Sequence, residues 1–244
     1  MEVICAECPL RRLPAFQSLT GDDLAVTDRL KRGELRVEAG MPILMQGATS
    51  PQLFTVLRGQ GLRTKTLPDG ERQVLGFVFP GDFLGLQAAV MAEMEHSVEA
   101  ATDMLLCVFD RNDLRQLYQD APRRAFDVTW LAAMEESLLS EALATVGQLP
   151  ARARVAWGLL KLLQRAEVSG LAPADEGRAA MPFRQQDLAD ALGLSVVHTN
   201  KMLAALRADG LATWRDGVLD VHDRAGLARA AGIPPETKRD RPLI

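Results

Sequence analysis

Residues 184–207, RQQDLADALGLSVVHTNKMLAALR, constrain the fold more than any other stretch of this chain. Leu188, Ala191 and Leu192 form a short apolar stripe at helical spacing. Gly193 follows and permits the positive φ that closes a helix. Ser195 suits the N-cap of a second helix, whose inward face is expected to be Val196, Thr199, Met202, Leu203 and Leu206. Its outward face would carry Val197, His198, Asn200, Lys201 and Ala204. The spacing predicts a helix-turn-helix, which offers polar and basic side chains near the start of its second helix to base edges and phosphates. A plain helical hairpin would share the glycine, so the downstream segment matters. Residues 211–214 and 218–221 are short strand-like runs flanking Arg215-Asp216-Gly217, and Asp-Gly between such runs signals a hairpin. A hairpin directly after a helix-turn-helix makes a winged helix. Arg215 at its tip suits a phosphate, as do Gln185 and Gln186 ahead of the first helix.

The net charge of −4 looks wrong for a nucleic-acid partner until the chain is divided. Residues 151–244 hold 14 basic and 11 acidic side chains, whereas residues 1–150 hold 14 and 21. The positive balance therefore accompanies the helix-turn-helix. It is too small to hold DNA by electrostatics alone, so specific contacts and a second subunit are expected to contribute. The longest apolar runs fall far short of the ~18 residues that span a bilayer. The start, MEVICAECPL, lacks the pattern of a signal peptide, which gives a cytoplasmic expectation and no membrane partner. No glycine-rich phosphate loop, HExxH or nucleophile elbow occurs, and three widely separated histidines suggest no triad; an enzyme is not expected. A winged helix that binds protein instead of DNA is the other rival.

Upstream the periodicity changes. A short helix over 17–32 precedes a series of strand-like runs from about residue 34 to 109, punctuated by Gly40, Gly47, Gly59, Gly61, Gly70 and Gly81. Such spacing predicts a β-barrel or sandwich. Residues 85–94 interrupt it as a short helix, and 111–119 form another, capped by Asp110 or Asn112. Pro122 opens a long helix without Gly or Pro until Gly147. Val128, Leu131, Met134, Leu138 and Ala142 recur on it at spacings of three and four, as a dimer seam would, or a face packed only on the chain's own barrel. Residues 151–168 read as an amphipathic helix and 169–180 as a loop. The expected domains are a barrel at 1–120, a dimerisation helix at 121–148, a winged helix-turn-helix at 149–232 and a disordered tail at 233–244.

This order, with LFTVLRGQG (53–61), FPGDFLG (79–85) and LADALGLSVVHTNKMLAALRADGL (188–211), resembles the CRP/FNR superfamily of bacterial transcription regulators over nearly the whole chain. The resemblance implies an α+β fold with a cupin-like jelly-roll sensor domain. It also implies a homodimer on a palindromic site in double-stranded DNA, and RNA polymerase as partner. Members that bind cyclic nucleotides carry Gly-Glu-Leu and, about ten residues on, Arg-Ser. Here the slots read Gly85-Leu86-Gln87 and His96-Ser97, so the ribose acceptor and the phosphate-pairing guanidinium are missing. The resemblance points instead toward redox-sensing members. Cys5, Cys8 and Cys107 match three of the four cysteine positions that hold a [4Fe–4S] cluster there. The fourth falls near Leu13 or Pro14, so a carboxylate such as Glu2, Glu7 or Asp22, or an exogenous ligand, would have to complete the set. A thiol–disulfide switch and three uninvolved cysteines remain open readings. In the recognition helix, Val197 stands where relatives place a base-reading Glu, and Lys201 where they place an Arg. The resemblance therefore implies an altered half-site, with Lys201 donating to guanine and Asn200 pairing with adenine.

Overall fold

The computed structural model describes residues 3–174, 176–232 and 240–244. Two compact units emerge: residues 1–66, 77–136 and 239–244 form the first, and 67–76 with 137–238 the second. The expected boundary at 120/121 is thus moved into the long helix, between residues 136 and 137.

The first unit opens with two 3-10 turns, Cys5–Glu7 and Pro9–Arg12, then helix α1, Gly21–Leu30. Thr20 caps α1: its hydroxyl accepts from Asp23 N–H, and the Asp23 carboxylate accepts from Thr20 N–H. Strands follow at Lys31–Val37 (β1), Pro42–Leu44 (β2), Gln52–Arg58 (β3), Gly61–Thr66 (β4), Arg72–Val78 (β5, whose residues 72–76 belong to the second unit) and Phe83–Leu84 (β6). The short helix α2, Leu86–Met91, precedes β7, Ser97–Ala100, and β8, Met104–Asp110. They make two four-stranded sheets, ordered β1-β8-β3-β6 and β2-β7-β4-β5. The jelly roll is an open sandwich, one of the two forms the strand spacing predicts: among the described residues the edge strands β1 and β6 of the first sheet pair with no strand of the second.

Strand β8 lies at the centre of this unit. Met104, Leu106 and Val108 point into the core between the sheets, with Phe54, Val56 and Val98. Leu105, Cys107 and Phe109 point to the opposite face, where they join Leu53, Leu57 and Phe83. A strand covered on both faces reads as one unbroken apolar run, which accounts for MLLCVFD.

Helix α3, Asp113–Asp120, and α4, Pro122–Gln148, continue the chain. Val128 and Leu131, two of the expected dimer-seam residues, are buried in the first unit's own core beside Cys107 and Leu105. They are therefore not available to a second subunit. Met134, Leu138 and Ala142 are half-buried, and the outward apolar positions of α4 are Phe126, Leu139 and Leu143. The tail also departs from expectation. Residues 240–244 are ordered against the first unit, with Leu243 in its core, while 233–239 lie outside the described residues.

In the second unit, α5, Ala151–Val168, buries Val155, Leu159, Leu162 and Leu163. Helices α6, Gln185–Leu192, and α7, Val196–Ala208, pack on it and on each other. Strands β10, Ala212–Arg215, and β11, Val218–Val221, form the hairpin. A third strand, β9, Arg178–Ala180, pairs with β11 within the stretch expected to be a loop. Helix α8, Arg224–Ala231, is capped by the Asp223 carboxylate, which accepts from Gly226 N–H. Among the described residues no helix is long and apolar enough to cross a membrane.

Candidate nucleic-acid interface and thiol cavity

The turn between α6 and α7 is built as the sequence implies. Gly193 takes the left-handed conformation, φ 61°, and its N–H donates to Ala189 O. Ser195 Oγ accepts from His198 N–H at 3.2 Å and so caps α7. Thr199, Leu203 and Leu206 are buried beneath the helix. Val197, His198, Asn200 and Lys201 are exposed on one side of its first turns, and Val197 is 76% exposed. An isolated valine that open has no packing function within the unit. It is free to meet an apolar group such as a thymine methyl.

Asp187 braces α6 from below. Its carboxylate accepts from Arg184 N–H at 2.8 Å, from the Arg184 guanidinium, and from Arg72 at 2.6 Å. Burial alone would raise its pKa, but these donors hold the carboxyl below the usual carboxylate range. Gln186 is exposed, with its amide donating to Asp190 at 2.5 Å. Gln185 is half-buried and donates to Trp214 O at 3.4 Å, so it ties α6 to the hairpin and is less open than expected. The hairpin turns at Asp216, φ 51°, and Gly217, φ 71°, the pair of positive angles that a two-residue turn needs. Arg215 beside it is exposed. Ser195, Val197, His198, Asn200, Lys201 and Arg215 thus all lie on solvent-facing parts of the second unit.

The second arrangement lies in the first unit. Cys107 pairs with Glu34 on β1 and Thr55 on β3, and residues opposite one another across strands share a face. Over this row sits the turn bearing Cys5 and Cys8. The three thiols line one small cavity, with Thr55, Phe109 and Leu243 among its other walls. The sequence placed these cysteines in one set, and the structure brings them together. Burial pushes the Cys107 thiol up to about 12 and Cys5 up to about 11, where a hydrogen bond with Asp28 adds to the effect. Cys8 is raised by burial too, against backbone hydrogen bonds from Leu10 and Arg11. Lys31 opposes the shift at all three thiols. Its ammonium is almost fully buried, donating to Val3 O at 2.5 Å and to Glu34 at 3.0 Å. Asp28 and Lys31 were not legible as site residues, because nothing in their local sequence marks them.

A four-iron cluster takes four ligands, usually thiolates. This cavity offers three. Glu7 and Asp22 are exposed and do not line it, Leu13 packs against the apolar core, and Glu2 lies outside the described residues. Among the described residues no group of three or more His, Cys, Asp or Glu is placed to hold a metal ion. The donor set does not fit a cluster with four protein ligands.

At the nucleotide slots, Leu86 begins α2 behind Gly85, and no carboxylate stands there. Burial, with the nearby charges of Arg63 and Lys65, lowers His96 to about 4, so the imidazole is neutral and offers an anion no charge. Arg63 is itself engaged by Glu135 of α4.

An open jelly roll and a winged helix-turn-helix thus occur in one chain. Residues 34–121 match the cyclic nucleotide-binding domain family, and residues 153–230 match the Crp-like helix-turn-helix domain. The chain is 30% identical over 211 residues to a probable transcriptional activator of Rhizobium leguminosarum bv. viciae, a match covering 86% of this chain and 85% of that protein. It is 25% identical over 209 residues to the transcriptional activator protein FnrL of Cereibacter sphaeroides, covering 85% and 83%. The solved structure of FixK2 from Bradyrhizobium japonicum shares the fold, with a TM-score of 0.74 over 83% of this chain and 98% of that one at 24% identity. The chain belongs to the CRP/FNR family of transcription regulators, which are DNA-binding proteins and not enzymes.

Proposed function

We propose that this protein is a cytoplasmic, homodimeric transcription activator that reads a palindromic operator and engages RNA polymerase there. Its operator contacts are Val197, His198, Asn200 and Lys201, with Ser195, Gln186 and Arg215 on the phosphates and Gln185 holding the hairpin in place. The observation that carries this reading is the split of α7 into a buried side and an open polar side at its capped N-terminus. Names of relatives as activators support the direction of control.

The dimer seam runs along the outward apolar positions of α4. Leu143 is 75% exposed, and Leu139 and Phe126 are also open. Ala132, Leu139, Leu143 and Val146 keep spacings of three, four and seven, the pattern of a two-helix seam. Leu143→Asp is expected to shift the protein to monomer in analytical ultracentrifugation and to weaken operator binding about 100-fold or more, because each half-site then binds alone. A Leu143→Asp variant that stays dimeric contradicts this seam. Binding to operator duplex should fall steeply with salt, and salt-independent binding contradicts the phosphate contacts.

The signal is redox state, read by Cys5, Cys8 and Cys107. One 3-10 turn separates Cys5 from Cys8, whose N–H donates to Cys5 O at 3.4 Å. Peroxide would take two electrons and two protons from this pair, leaving a disulfide and two waters. Mass spectrometry should show the loss of two hydrogens within residues 5–8, with a change in operator affinity. An anaerobic sample reconstituted with iron and sulfide should remain without a cluster absorption band; a band with stoichiometric iron and sulfide would replace the thiol reading with the cluster reading.

A further inference from the structure

Residues 240–244 lie in the first unit in the manner of a bound peptide. Arg241 N–H donates to Ala15 O at 2.8 Å, and Gln17 N–H donates to Arg241 O at 2.8 Å, a short parallel bridge. The Arg241 guanidinium pairs at 2.8 Å with Asp82, which is 1% exposed and also accepts from Phe79 N–H. Arg124 at the start of α4 is 2% exposed; it pairs with Asp127 and donates to Leu243 O at 2.5 Å. Thr55, the cross-strand neighbour of Cys107, donates its hydroxyl to Ile244 O at 2.7 Å. The Leu243 side chain is buried among Cys8, Cys107, Val128 and Leu131.

Two buried charges that would be costly without partners, Asp82 and Arg124, both turn toward this segment. Backbone pairing on one side and reading of side chain and carbonyls on the other are the marks of peptide recognition. Leu243 and Ile244 also wall the cavity that holds the three thiols.

The geometry points to a built peptide site on the sensor unit: Asp82, Arg124 and Thr55 recognise an Arg-Pro-Leu-Ile segment, here the chain's own residues 241–244, as a detachable cover over Cys8 and Cys107. Occupancy of this site sets access to the thiols. The regulatory meaning rests on the redox reading above, but the covering itself does not.

The test compares the reduced full chain with a chain ending at Asp240, each treated natively with iodoacetamide and followed by peptide mass spectrometry. Alkylation of Cys107 and Cys8 should rise about tenfold or more in the shorter chain. Cys5 also faces a separate hollow lined by Ile4, Leu24 and Asp28, so its rate should rise by only about threefold or less. The synthetic peptide DRPLI, added in excess, should slow Cys107 again; an unfolded protein would show no such rescue. Equal Cys107 rates in the two chains overturn the proposal. An independent check uses the unaltered protein. The amides of Arg241 and Gln17 should exchange with deuterium about 100-fold or more slower than free peptide, and unprotected amides overturn the docking. Thr55→Val, which removes one hydroxyl, should give a smaller increase at Cys107 in the same direction. A confirmed cover with operator affinity indifferent to oxidation would remove the redox reading and leave the peptide site standing.

Discussion

The recognition helix and the thiol cavity dispose their reactive groups in opposite ways. On α7 Thr199, Leu203 and Leu206 are inside, and His198, Asn200 and Lys201 are exposed. In the first unit the three thiols are inside, with Leu243 and Ile244 among the walls around them. The physical consequences differ. Solvated groups at a capped helix start can meet a duplex without rearrangement. Thiols whose pKa is pushed to about 11 and 12 are poor nucleophiles until their surroundings change. One region presents its polar groups to solvent and the other encloses its thiols.

The comparison can be broken most severely from below the reading face. Leu206 is fully buried under α7, and Leu206→Ala should cost about 2–5 kcal/mol of stability in the second unit through lost burial and a residual cavity. Urea unfolding checks this, and a loss under 1 kcal/mol (roughly) would mean that the helix is not seated as described.

The first unit is tested through His96. Burial, then the charges of Arg63 and Lys65, hold its folded pKa at about 4, against 6.5 for the free side chain. Between these values the unfolded chain binds a proton that the folded chain refuses. Its contribution is therefore intact above pH 6.5 and is lost progressively as pH falls toward 4. His96→Gln should remove that decline, on the order of 2 kcal/mol after allowing for partial exposure. Urea midpoints of both proteins at pH 7 and pH 4.5 decide it: parallel pH dependences contradict a buried neutral imidazole.

The smallest expected effect is at the cap. Ser195→Ala removes the acceptor for His198 N–H and should cost about 1 kcal/mol of second-unit stability. Thermal unfolding of the variant should show it, and an unchanged midpoint would mean that the hydroxyl serves DNA alone.

The two regions also differ in how far their sequence could be read. The helix-turn-helix and its hairpin are local: Gly193, Ser195 and Asp216-Gly217 act within a few residues, and the apolar spacing names the buried side. The cavity is not local. Cys5 and Cys8 meet Cys107 only because the β1–β8–β3 register puts Glu34, Cys107 and Thr55 in one row. Periodicity on α4 revealed apolar stripes but could not say that Val128 and Leu131 face the chain's own sheet while Leu143 faces out. The stretch PPETKRDRPLI reads as polar and turn-rich; the docking of its last residues depends on Asp82 and Arg124, more than a hundred residues away. Strand β9 escaped notice because Arg178–Ala180 has none of the β-branched residues that mark a strand; its pairing comes from β11.

The central claim is that two copies of the outward face at 197–201 read DNA sequence. Selection of bound duplexes from a random pool, with the wild type and Lys201→Ala, tests it directly. The wild type should enrich two half-sites related by two-fold symmetry, and Lys201→Ala should lose about 1–3 kcal/mol in affinity and relax preference at one base pair of each half-site. Enriched duplexes without symmetry, or an identical preference in the variant, would contradict the account.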